Sequence, residues 1–180
     1  MNLKSRRRSV LLIALCLVLA LAMLSSCTKD AYVPAGMKRI TNRDIVDYTM
    51  YVPVEWTEDI STGVVTAYYS STDRSNISMM AFDLEDTAST LDDYWALYQQ
   101  QFADTFSDMS MMTDGDTMLI DGKPAQKYIY QASVTGTTYQ FMQVLILSVA
   151  TVYVFTYTST PEVFDTHIEA IDNILEHIEF

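Results

Sequence analysis

The sequence is poor in cysteine, glycine, proline, histidine and positive charge, and each shortage closes off a class of protein. Two cysteines, Cys16 and Cys27, are too few for a disulfide framework. Five glycines and four prolines among 180 residues leave no low-complexity tract and fall where turns are expected. The two histidines, His167 and His177, lie in one helical stretch. Their spacing puts them about 80° apart around the axis and about 15 Å along it, so they cannot share a metal or form a catalytic pair. His167 sits beside the apolar seam, as a packed structural histidine does. There is no Gly-x-Ser-x-Gly elbow for nucleophilic hydrolysis. Eleven Lys and Arg stand against 23 Asp and Glu, a balance that repels nucleic acid.

What is present begins with an address. Lys4, Arg6, Arg7 and Arg8 precede an apolar run over residues 10–24, the head and core of a secretory signal. The run is shorter than the roughly 20 residues of a spanning helix, and cations on its N-terminal side send the C-terminal part of the chain outward. Its end, Leu24-Ser25-Ser26-Cys27, resembles the bacterial lipobox, in which a branched residue and two small ones precede a cysteine that is acylated and becomes the mature N-terminus. The resemblance implies lipidation of Cys27, with each buried methylene of a palmitate-type chain contributing about 0.8 kcal/mol to the membrane hold. The competing readings are an uncleaved signal-anchor, or ordinary cleavage with Cys27 as a bystander. Cleavage before Cys27 would remove Cys16 and four cations, leaving 7 Lys and Arg against 23 acids, a net charge of −16. The expected organisation is a signal over 1–26, a tether over 27–43, and one domain over 44–180. Its expected location is the extracytoplasmic face of the cell membrane.

Within the domain, most of the hydrophobic pattern has period two. Residues 48–52 alternate until Pro53 stops the pairing, and Trp56 comes three positions later. Runs at 64–69 and 77–82 flank the polar "SSTDRSN" and predict a hairpin. Shorter runs at 108–112 and 117–120 flank "TDGD". Runs at 125–134, 138–149 and 152–158, separated by "TGT" and "VAT", predict a three-stranded meander with tight turns. Two segments have the helical period instead. Leu91, Tyr94, Trp95, Tyr98, Phe102 and Phe106 form one seam, with Ser89 or Thr90 as N-cap. Phe164, Ile168, Ile171, Leu175 and Ile178 form another, opened by "STPEVF", with Glu162, Asp165, Glu169, Asp172, Glu176 and Glu179 on a neighbouring face. The predicted class is α+β, an antiparallel sheet with a long C-terminal meander flanked by two helices.

"YTMYVPVEW", "DGKPAQKYIY", "YQFMQVLIL" and the closing "YVFTYTSTPEVFDTHIEAIDNILEHIEF" together resemble the PsbP-like family, whose founding member is an extrinsic subunit of photosystem II. The resemblance spans about residues 45–180. It implies an α/β/α sandwich, and many bacterial relatives are lipoproteins without an assigned role. The shared patterns are apolar and aromatic positions that make a fold, so they carry over no functional residue, photosystem contact or metal ligand.

Few residues suggest chemistry. Asp114-Gly115-Asp116 fails as a calcium loop, because Met118 and Leu119 stand where an oxygen ligand and a glycine are needed; a turn accounts for it. Asp83, Glu85, Asp86, Asp92 and Asp93 could hold a cation loosely, but acids at a helix start suit the helix dipole without one. Asn76-Ile77-Ser78 is a glycosylation sequon, idle in a bacterial setting. Tyr51, Trp56, Tyr68 and Tyr69 are the candidate docking surface, weighed against plain strand packing. The functional expectation is a non-enzymatic binding or accessory module with no cofactor and no bound metal. Its partners would be the membrane, through lipid on Cys27, and a protein of the envelope. A small-ligand or glycan receptor using an aromatic face is the alternative, and an unidentified enzyme the third reading.

Overall fold

The meander forms because its strands are long, β-branched or aromatic, and joined by two-residue turns. In the computed structural model, which describes residues 32–41, 46–59, 64–84, 90–106 and 108–180, these strands are β8 (Lys123–Val134), β9 (Thr137–Ser148) and β10 (Thr151–Ser159). Thr135 and Gly136 both take positive φ, 51° and 85°, which matches the twist of the β8–β9 hairpin. Earlier come β1 (Met37–Arg39), β2 (Tyr51–Pro53), β3 (Thr57–Asp59), β4 (Val65–Tyr68) and β5 (Asn76–Asp83). Helix α1 (Leu91–Thr105), β6 (Ser110–Met111) and β7 (Asp116–Ile120) lie between β5 and the meander, and a 3-10 turn (Phe164–His167) leads into α2 (Ile168–Glu176) after it.

The main sheet is antiparallel, with order β3-β4-β5-β10-β9-β8-β6, and β7 pairs beside β6 on β8. Strand β10 is central, with Phe155 opposite Val144 on one side and Met79 on the other. Alternation then sends each strand's side chains to two faces. One face carries Met142, Val144, Phe155 and Tyr157 against Ile171, Ile174, Leu175 and Ile178 of α2 and its extension, together with the small β1–β2 sheet. The other carries Tyr128, Tyr130, Leu145, Val152 and Val154 against Leu91 and Trp95 of α1. Helix, sheet and helix are stacked as three layers, and the residues Val33–Phe180 form one compact unit.

Helix α1 starts at Thr90, whose hydroxyl accepts from the Asp93 N–H while the Asp93 carboxylate accepts from the Thr90 N–H, a reciprocal capping box. Helix α2 starts differently from the expectation. "STPEVF" is the end of β10 followed by a turn and the 3-10 segment, and no side chain caps the entry. The Tyr157 hydroxyl instead donates to the Phe164 carbonyl at 3.0 Å, so a sheet residue orients the helix start. The expected tether also needs correction. Met37–Arg39 pairs with Tyr51–Pro53, and Met37 and Ile40 are buried, so the folded domain begins well before residue 44. Pro53 does not end the pairing but occupies it, opposite Met37, on a strand with a single neighbour where its missing N–H costs little.

Candidate functional site

Cys27 lies outside the described residues. The four aromatic candidates are separated by the fold. Tyr51 and Trp56 are buried, at 2% and 1% exposure, which corrects the expectation that they present rings to a partner. Tyr51 packs in the core beneath α2 because β2 is covered by β1 and the helix. Tyr68 is half-buried beneath the Arg74 guanidinium, 4.8 Å from its ring centre, and points to the opposite sheet face from Tyr157. Tyr69 is exposed at 38% and meets Trp56 edge-on, with ring centres 5.9 Å apart. Only Trp56 and Tyr69 come together.

They meet at a residue pair that lies far apart in sequence. The β4–β5 turn is tied by Ser70, whose hydroxyl accepts from the Asp73 N–H at 2.9 Å. Asp73 Oδ1 accepts from the N–H and hydroxyl of Ser75 at 2.9 and 2.6 Å, the local bonding typical of aspartate in turns. Its second oxygen receives His167 Nε2 at 2.7 Å. The His167 ring lies 4.1 Å from Tyr69 and 6.4 Å from Trp56, centre to centre. Partial burial opposes ionisation of Asp73, but the two Ser75 donors and His167 outweigh it and hold its carboxyl below the usual range. An ionised Asp73 only accepts, so Nε2 donates in this bond.

Beside this cluster runs an open groove of about 880 Å³, walled by Trp56, Tyr69 and His167 on one side and by α2 on the other. Glu169, Asp172 and Glu176 fall at helical spacing on the outward stripe of α2 and line it together with Glu55. A smaller hollow of about 430 Å³, floored by Met118 and Ile120 and edged by the exposed Leu119, shares Asp172 and Glu176 with it. The acidic face of the last helix was readable from spacing. Its aromatic wall was not, because Asp73 and His167 are 94 positions apart and neither belongs to a motif.

The other acidic candidates serve local structure. Asp93 closes the capping box, Asp92 accepts from Gln126 at 2.7 Å, and Asp83 accepts from Thr151 at 3.2 Å, while Glu85 and Asp86 lie outside the described residues. Asp114 and Gly115 form the bend before β7, whose first residue, Asp116, lies 3.8 Å from Lys127. His177 Nδ1 lies 2.8 Å from the Asn173 carbonyl at the helix end. Among the described residues no group of three or more His, Cys, Asp and Glu could hold a metal ion. No helix among them is long and apolar enough to cross a membrane.

A three-layer α+β domain with this strand order is a PsbP-like fold. Among solved structures, the chain is similar to cyanobacterial PsbP, CyanoP, from Synechocystis sp. PCC 6803, with a TM-score of 0.61 and 16% identity over 87% of this chain and 98% of that one. It is also similar to PA94 of Pseudomonas aeruginosa, a protein of unknown function, at a TM-score of 0.52 and 18% identity over 78% and 94% of the two chains. LpqN of Mycobacterium tuberculosis, described as involved in cell envelope biogenesis, has a TM-score of 0.49 and 16% identity over 73% and 81%. No family model matches the sequence, and no curated protein does.

Proposed function

We propose that the chain is a lipid-anchored, extracytoplasmic accessory module that holds an envelope partner in the groove beside α2. The observation that carries this reading is the groove itself, open to solvent and bordered by a helix packed through Ile171, Ile174 and Leu175. The Asp73–His167 pair at its edge ties the β4–β5 turn to the start of α2. The Ser75 hydroxyl donates to Asp73 rather than to His167, so this serine is not aligned on the imidazole as a nucleophile would be. Burial of Tyr51 and Trp56 also removes two of the four rings a glycan would stack on. The lipobox-like Leu24-Ser25-Ser26-Cys27 supplies the anchor.

Growth with an alkyne fatty acid tests the anchor. Wild type should label, and Cys27→Ser should not label and should either leave the membrane or persist there as unprocessed precursor. Equal labelling of the two would overturn the proposal.

A further inference from the structure

We infer that strand β1 and the turn before it lay the domain against an anionic phospholipid surface, through Lys38 and Arg39 with Val33 and Val54 beside them. This rests on the lipid-anchored reading, and adds to the anchor a second hold that orients the domain.

The first ground is charge. Cleavage before Cys27 leaves seven Lys and Arg, and four of them, Lys29, Lys38, Arg39 and Arg43, fall among residues 27–43 with one acid, Asp30. Residues 44–180 hold three cations against 22 acids. The segment next to the anchor is therefore at +3 and the rest at −19. Such a split draws one end of the molecule to anionic headgroups and pushes the remainder away. Arg74 lies over the Tyr68 ring, Lys123 over the Phe180 ring, and Lys127 beside Asp116. Lys38 and Arg39 are the two described cations with no ion-pair or ring partner among the described residues. In a chain this acidic, two adjacent cations left unpaired on a folded strand are available to an external anion.

The second ground is reach and shape. Cys27 precedes Val33 by six residues, at most about 22 Å of extended chain, so acyl chains on Cys27 keep this edge near the headgroups. Val33 leads into the turn closed by the Met37 N–H on the Pro34 carbonyl at 3.1 Å, and the Val54 N–H donates to the Gly36 carbonyl at 3.0 Å. The two valines thus flank one turn, and they are 47% and 56% exposed. Lys38 is half-buried and Arg39 exposed on the strand that follows. Exposed apolar residues beside cations are the composition of surfaces that lie in the headgroup region. Glu55 follows Val54, and Glu169, Asp172 and Glu176 line the groove along α2. The same headgroups repel these acids, so the contact is shallow and turns the groove away from the bilayer.

A thiol-reactive, environment-sensitive dye on the full chain, processed by bacterial cells and reconstituted in vesicles, tests this. Val54→Cys carries the dye at the proposed contact and Val149→Cys carries it far from there. Val54 lies near Trp56, which meets Tyr69 at the β4–β5 turn, whereas Val149 lies in the β9–β10 turn at the other end of the strands. In vesicles with about a third phosphatidylglycerol, emission at Val54 should rise about twofold over that in phosphatidylcholine alone, and emission at Val149 should not change. Lys38→Gln with Arg39→Gln should abolish the rise, as should 1 M salt, where the screening length is ~3 Å. Lys123→Gln with Lys127→Gln makes the same charge change on β8 and should leave the rise in place. Equal emission at Val54 in the two vesicle types, equal rises at Val54 and Val149, or a rise that survives Lys38→Gln with Arg39→Gln would overturn the inference. Wild type separates this from the anchor: with Cys16 cleaved away and Cys27 acylated, it should take no dye. Dye on wild type would overturn the anchor and the inference together, whereas any failure above with an unlabelled wild type would overturn the inference alone.

Discussion

Single residues in this protein show how narrowly backbone and side-chain freedom are used. Gly115 takes φ 103°, and a Cβ there would lie 2.7 Å from Tyr128 Cε1. Tyr128 in turn stacks on Trp95 with ring centres 3.9 Å apart, so it has nowhere to retreat. Gly115→Ala should therefore cost about 2–4 kcal/mol, from backbone strain and overpacking together, against about 1 kcal/mol for Gly136→Ala, whose Cβ would meet open space. Chemical denaturation of both variants checks the difference. Val149 is the reverse case: a β-branched residue at φ 58°, 95% exposed at the tip of the β9–β10 hairpin. Val149→Gly should raise stability by roughly 0.5–1 kcal/mol, because strain is relieved and no contact is lost.

Titration belongs to the same scale. Tyr48 is buried beside Tyr153, with ring centres 5.7 Å apart, and burial with that neighbour pushes its hydroxyl up to about 12. The folded state thus keeps the proton longer than the unfolded chain does. Stability from this group is intact below pH 10 and is lost as pH rises from about 10 to 12. Tyr48→Phe should flatten the alkaline limb of the stability curve, measured by melting across the range from about pH 9 to about pH 12. Asp73 has the opposite sign. Its lowered pKa contributes stability above the ordinary carboxylate range, which is lost as pH falls below about 4. Asp73→Asn should remove that part of the acid dependence while leaving the alkaline limb unchanged.

At the scale of elements, the two helices differ in how they are held. Helix α2 is short and strongly two-sided, with Ile171, Ile174 and Leu175 fully packed and Glu169, Asp172 and Glu176 exposed. Leu175→Ala should cost about 2–5 kcal/mol, the range for emptying a packed leucine site. Glu169→Ala should stay within about 0.5 kcal/mol. Similar unfolding midpoints for the two would mean the helix is turned the other way. Helix α1 buries only Leu91 and Trp95, with Tyr94, Tyr98 and Phe102 partly covered, so more of its stability depends on its start. Thr90→Ala breaks the capping box and should cost about 1 kcal/mol. Both seams and the α1 cap were legible in the sequence because helical period is a local property. The entry to α2 was not, because its orientation comes from a Tyr157 hydroxyl on the sheet rather than from the Ser, Thr and Pro that look like a cap.

For the whole molecule, charge sets the expectation. Eleven cations against 23 anions attract calcium generally, but Asp83, Asp92 and Asp93, the described acids of the candidate cluster, accept hydrogen bonds from Thr151, Gln126 and Thr90. Calcium binding should be millimolar and should fall away as the screening length drops from ~10 Å at 0.1 M salt to ~3 Å at 1 M. Calorimetry at 0.15 M salt showing one tight site would contradict this.

Periodicity within single elements was enough to specify the meander, both helical seams, the α+β class and the acidic stripe on the last helix, since neighbours along the chain carry each of these patterns. Which aromatics face water was settled by packing between elements. Tyr51 and Tyr69 read alike as strand tyrosines, and one is buried only because β1, α2 and the sheet close over it. Packing also turned Met37–Arg39, three residues in a stretch that reads as tether, into a strand, because a strand that short exists only through its partner. The same closure brought Asp73 to His167 across 94 positions. No local pattern encodes that pairing, which arises when β5 lies against β10 and α2 folds back over the face that β10 presents.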